Sequence, residues 1–132
     1  MSSATFELGR SLKGDSGTAV MAGDRRSLKL KRLNLGGNEL SSVPQKALSI
    51  LENLKKLEMQ ENGIREIKEG DFEGLKNLDS LGLAHNKLRQ VPPRVFSHLT
   101  LLNSLELDGN NIEKVDPDAF AGLEATTLQC LI

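Results

Sequence analysis

Asparagine recurs at a fixed interval in this chain: Asn38, Asn62, Asn86 and Asn110 are each 24 residues apart. A period of that length, carried by several residue types at once, constrains the fold more than composition can. The chain laid on the period forms columns. Leu30, Leu54, Leu78 and Leu102 fill the first, and Leu33, Leu57, Leu81 and Leu105 the second. Leu35, Met59, Leu83 and Leu107 follow. Beyond the Asn column come Leu40, Ile64, Leu88 and Ile112, then Val43, Ile67, Val91 and Val115. Leu48, Phe72, Phe96 and Phe120 align, as do Leu51, Leu75, Leu99 and Leu123. The four units run 30–53, 54–77, 78–101 and 102–125. A partial fifth, 126–132, starts two residues late, with Leu128 and Leu131 standing under Leu102 and Leu105.

Apolar and polar residues alternate around the second and third columns, the mark of a short strand with one buried face. Strands one unit apart pair in parallel, and the rest of each unit supplies the crossover. An amide side chain both donates and accepts, so a ladder of Asn can satisfy backbone groups where the chain turns. The Phe column fills the outer side. Pro44, Pro92, Pro93 and Pro117 all fall between the Val and Phe columns, which predicts an extended or turn-like crossover there. Asp116-Pro117-Asp118 predicts a short helical turn at Ala119 and Phe120. One unit cannot bury its own apolar face, so the units must stack.

The pattern L-x-x-L-x-L-x-x-N-x-L-x-x-V, followed by F-x-x-L, is the leucine-rich repeat signature, here over residues 28–132. The fold expected is a repeat solenoid of α/β type. It is a horseshoe with a parallel β-sheet on the concave face and a mostly irregular or short-helical convex side. The Asn and Phe columns resemble those of "typical" repeats in extracellular and cell-surface proteins. Within that class, Asp71-Phe72-Glu73-Gly74-Leu75-Lys76-Asn77-Leu78 and Val115-Asp116-Pro117-Asp118-Ala119-Phe120-Ala121-Gly122-Leu123-Glu124 resemble phrases of arthropod chaoptin-like adhesion proteins. They also resemble proteins described as non-catalytic subunits of a crustacean luciferase. The resemblance implies a module that binds a protein ligand, outside the cell or on its surface. The chain departs from such proteins in lacking a signal peptide, cysteine caps, a membrane anchor and an Asn-x-Ser/Thr site, which leaves a cytoplasmic location open. Residues 1–27 carry none of the columns and read as a flexible tail. With no cap, Leu30, Leu33 and Leu35 are expected to face solvent, as is the last unit. The reading is therefore of a piece of a longer protein, its ends covered by missing repeats or by another subunit.

Alternation also names the concave face. Its residues are Arg32, Asn34 and Gly36, then Lys56, Glu58 and Gln60, then Ser80, Gly82 and Ala84, then Ser104, Glu106 and Asp108, with Lys31, Lys55, Glu61 and His85 beside them. The face grades from basic to acidic, with a small, open middle at Gly82 and Ala84. These residues are the expected protein-binding site.

Other chemistry is poorly supplied. Lys plus Arg total 17 against 18 for Asp plus Glu, a net charge of -1, and the only aromatics are four Phe. From those averages nucleic acid is expected not to be a partner. No apolar run is long enough for membrane insertion. A single Cys, Cys130, precludes an internal disulfide or a multi-Cys metal site. His85 and His98 fall on opposite sides of the repeat, which argues against a metal pair. Gly14-Asp15-Ser16-Gly17 matches the nucleophile segment of trypsin-like proteases, but no fold is at hand to bring a His and an Asp to Ser16. Gly36-Gly37 is a turn and not a phosphate loop, and Arg25-Arg26 with Lys29, Lys31 and Arg32 form a small basic cluster. No catalytic residue, cofactor or metal is expected. An accessory subunit of an enzyme complex is the first alternative to a stand-alone binding module, and a hydrolase a remote one.

Overall fold

The computed structural model describes residues 29–123 and the backbone of 129–131. The N-terminal tail, the Gly14–Gly17 segment, Arg25-Arg26 and the side chain of Cys130 lie outside the described residues. The chain forms β1 (Arg32–Asn34), α1 (Gln45–Leu48), β2 (Lys56–Glu58), β3 (Ser80–Gly82), β4 (Gln90–Val91), β5 (Ser104–Glu106), β6 (Lys114–Val115) and β7 (Gln129–Leu131). The main sheet has the order β1-β2-β3-β5-β7 and is parallel throughout. Its register is the sequence period: Leu33 pairs with Leu57, Leu57 with Leu81 and Leu81 with Leu105. Backbone bonds continue past the strand ends, with Leu35 N–H donating to Glu58 O and Gly37 N–H to Gln60 O. A second, two-stranded sheet pairs β4 with β6 on the descending side.

The columns pack into one continuous core. Leu57, Met59, Ile64, Phe72, Leu75, Leu81, Leu83, Leu88 and Phe96 are fully buried. Phe96 stacks between Phe72 and Phe120, with ring centroids 6.0 Å apart in both pairs. Offset aromatic stacking of this kind adds about 0.5–1.5 kcal/mol per pair beyond the area buried. The first unit has Leu48 in that column, and there the chain forms α1, with Ala47 and Leu48 buried. A leucine fills less of the outer space than a phenylalanine, and a helical turn brings backbone in to close it.

Four expectations are corrected. Leu30, Leu33 and Leu35 are 5%, 1% and 1% exposed, because they join the same apolar cluster as Val43, Leu48 and Leu51 of their own unit and Leu57 of the next. Ala119 and Phe120 lie in a turn and not a helix. Asp116 Oδ1 accepts from Asp118 N–H at 2.8 Å as a helix cap does, but Ala119 and Ala121 donate only three residues back, to Asp116 O and Asp118 O, so the chain makes tight turns that no i to i−4 bond prolongs. In β7, Cys130 pairs with Leu105 and Leu131 with Glu106, an offset of 25 residues. The sequence columns had set Leu131 under Leu105, an offset of 26. Side chain identity alone does not fix register across an insertion. The last is Val115, which continues a core column yet is 44% exposed, since among the described residues β6 pairs only with β4.

Candidate functional site

The Asn column holds the concave face in place. Asn62 Oδ1 accepts from the backbone N–H of Asn38 at 2.8 Å and of Leu40 at 3.1 Å, in the preceding unit. Its Nδ2 donates to Leu35 O and to Met59 O, each at 3.0 Å. Asn86 repeats the arrangement with Asn62 and Ile64 as donors and Met59 and Leu83 as acceptors. Asn110 accepts from Leu88 N–H at 3.0 Å and donates to Leu83 O and Leu107 O. Each amide thus ties two strand ends together where the chain leaves the sheet. No buried side-chain polar atom among the described residues lacks a partner.

The residue before each of these asparagines is left-handed: Gly37 at φ 73°, Glu61 at 58°, His85 at 58° and Gly109 at 75°. Two are glycine, which takes that conformation freely, and two are not. Sequence reasoning missed this column. Gly37 and Gly109 were its signal, and Glu61 and His85 hid it. The bend turns His85 to solvent on the concave side, its Nε2 4.0 Å from Asp108 Oδ2. His98 is half-buried on the outer turns.

The strand residues do line one surface, in the register of the sheet. Arg32, Lys56, Ser80 and Ser104 form one row, and Asn34, Glu58, Gly82 and Glu106 the next. Gln60, Ala84 and Asp108 follow the strands. Arg32 and Glu106 are exposed, and Asn34, Lys56, Glu58, Gln60, Ser80, Ser104 and Asp108 half-buried. The open middle is not found: Gly82 and Ala84 are buried. A methyl placed on Gly82 would lie 3.5 Å from Glu106 Oε1 and 3.6 Å from Gln60 Oε1. One placed on Gly36 would lie 2.9 Å from Gln60 Nε2. The Gln60 amide therefore reaches toward both neighbouring units and roofs the small residues. Long side chains from adjacent strands fill what a missing side chain leaves.

Among the described residues, a concavity of about 850 Å³ runs along the edge where the strands begin. Lys31, Arg32, Lys55 and Lys56 line its first half; Asp79, Ser80, Asn103 and Ser104 line the second, with Asn77 and the 55%-exposed Leu101. Asp79, Asn77, Leu101 and Asn103 were not anticipated, although Asp79 and Asn103 continue the column of Lys31 and Lys55. A smaller cleft of about 420 Å³ lies on the other edge, with Arg65, Lys87 and Arg89 in its lining. Among the described residues, no cluster of three or more His, Cys, Asp or Glu could hold a metal ion. None of their helices is long and apolar enough to cross a membrane.

Comparison with known proteins places this geometry. The family model described as Leucine rich repeat matches residues 29–88 and 77–128. Comparison with curated proteins gives no match. Among solved structures, the Toll–Spatzle complex of Drosophila is similar at 25% identity and a TM-score of 0.70, covering 76% of this chain and 13% of the Toll chain. Its glycosylated form gives 29% identity and a TM-score of 0.69, covering 74% and 13%. A TLR13–ssRNA13 complex matches at 23% identity and a TM-score of 0.49, covering 79% and 21%. This chain thus spans a small fraction of the length of each. The expectation that nucleic acid is not a partner is corrected, since the last of these chains is in a complex with single-stranded RNA. Net charge and aromatic count are whole-chain averages, whereas a solenoid presents its charge locally, as the basic half of the groove illustrates.

Proposed function

This chain belongs to the leucine rich repeat family, and on that premise we propose that it is a protein-interaction module that binds a protein ligand through its concave face. It works at the cell surface or as a secreted protein, in adhesion or as a receptor, and carries out no catalytic step. The observation that carries this reading is the charge gradient held on a rigid sheet: Arg32 and Lys56 at one end, Glu106 and Asp108 at the other. Such a gradient sets a partner's orientation and association rate more than its affinity. The similar Toll chains are held in complexes with Spatzle, which supports a protein as the ligand here.

Photo-crosslinking tests the reading. A crosslinker at Asn34 on the concave face, and another at Glu73 on the outer turns, are compared on the full chain. The reading predicts a protein adduct from position 34 that is lost in the Lys56→Glu/Glu106→Lys double variant while thermal unfolding stays unchanged. An adduct from position 73 alone, or one indifferent to the double charge reversal, contradicts it.

A further inference from the structure

The groove along the strand starts has a polarity of its own. Lys31 and Arg32 of the first unit stand beside Lys55 and Lys56 of the second. Among the described residues, no ion pair joins any of the four to a carboxylate. Two units further on, the same columns hold Asp79 with Ser80, then Asn103 with Ser104, and Leu101 stands exposed beside them. Four strands spaced about 4.8 Å apart make the groove about 14 Å long, which four or five residues of extended chain would cover at about 3.3 Å each.

The geometry points to an acidic-then-apolar peptide segment of the protein ligand as the occupant of this groove. Its carboxylates lie over the four cations, its backbone reaches Ser80 and Ser104, and an apolar side chain covers Leu101. The inference rests on the proposed function and names the chemistry of its partner. A uniformly charged polyanion fits less well, because its far half would lie against the Asp79 carboxylate and the bare Leu101 side chain. An ion pair at an exposed surface is individually weak, so recognition needs the four together with the apolar contact.

An amide-resolved NMR titration of the full chain tests this. The probe is the peptide acetyl-Glu-Asp-Glu-Ser-Leu-amide, and its control replaces the acidic residues by Gln and Asn. The expected result is saturable shifts confined to residues 31–32, 55–56, 79–80 and 101–104, at least tenfold weaker for the control. Lys31→Glu/Lys55→Glu abolishes them and Leu101→Ser weakens them severalfold, and both variants keep the spectrum of the folded chain since the substituted side chains are exposed. Equal binding of the control, shifts elsewhere on the solenoid, or tighter binding of a sulfated glycan or single-stranded RNA in the same groove would overturn it. If the crosslinked partner binds the Lys31→Glu/Lys55→Glu chain unchanged, this inference fails while the concave-face reading stands. If no partner is captured from position 34, that reading itself has failed.

Discussion

The third and fourth units carry nearly the same sequence columns, yet the structure treats them differently. Phe96 is fully buried, while Phe120 is only partly so. Val91 is 1% exposed and Val115 44%. Asn86 is buried and Asn110 half-buried; Leu88 is buried and Ile112 half-buried. The columns in and beside the strands match, with Leu78, Leu81, Leu102 and Leu105 all at 0% and Leu83 and Leu107 at 0% and 1%. The reason lies in the neighbours. β5 is flanked by β3 and β7, whereas the outer and descending sides of the fourth unit are flanked, among the described residues, by the third unit alone. A repeat residue therefore draws its stabilisation from the units beside it and not from its own column identity.

Paired substitutions can break or sharpen this contrast, and chemical unfolding midpoints measure it. Phe96→Ala should cost about 3–5 kcal/mol, the range for a buried aromatic, and Phe120→Ala less than half of that. Equal losses would refute the comparison. Asn86→Ala should cost about 3 kcal/mol, because it leaves Asn62 N–H and Ile64 N–H without their acceptor in a dry interior, while Met59 O and Leu83 O each keep one other Asn donor. Asn110→Ala should cost less, since part of its surroundings reaches water. Val91→Ala should cost about 1.5 kcal/mol and Val115→Ala under about 0.5 kcal/mol.

Smaller effects come from the backbone and from pH. His85→Gly relieves a left-handed residue of about 1 kcal/mol of strain, partly offset by the added freedom of the unfolded chain, whereas Gly109→Ala imposes that strain and also drives a methyl into the His85 ring. The two changes should move the melting temperature in opposite directions. Desolvation raises the Asp71 carboxyl above its ordinary range, against the lowering effect of the Lys68 N–H and charge. A raised folded-state value means that the folded chain holds the proton more tightly. The resulting stabilisation is present in full below the unfolded value and is lost as pH rises through the folded one. Asp71→Asn should remove that slope from a plot of melting temperature against pH in the carboxylate range.

Much of this was legible in the sequence, because the period that places Leu33 over Leu57 also places Asn38 over Asn62, and register follows from it. The leucine-rich repeat fold and its parallel sheet came from that one regularity. What was not legible depends on contacts between columns. Gln60 roofing Gly36 and Gly82 is set by side-chain reach, which no column records. The groove arises because Leu101 and Asp79, in different columns, meet along one edge. The exposure of Val115 and the 25-residue offset of β7 depend on what lies beside a unit, and a repeat pattern is silent about its own interruptions.

Amide hydrogen exchange in the Asn110→Ala variant tests most directly whether stacking at one period holds the molecule together. The Leu88 N–H donates to the Asn110 side chain 22 residues away, while the adjacent Lys87 N–H donates to Ile64 O. The account predicts that exchange at Leu88 accelerates at least tenfold and that Lys87 is nearly unchanged. Acceleration confined to residues next to position 110, with Leu88 unaffected, would contradict it.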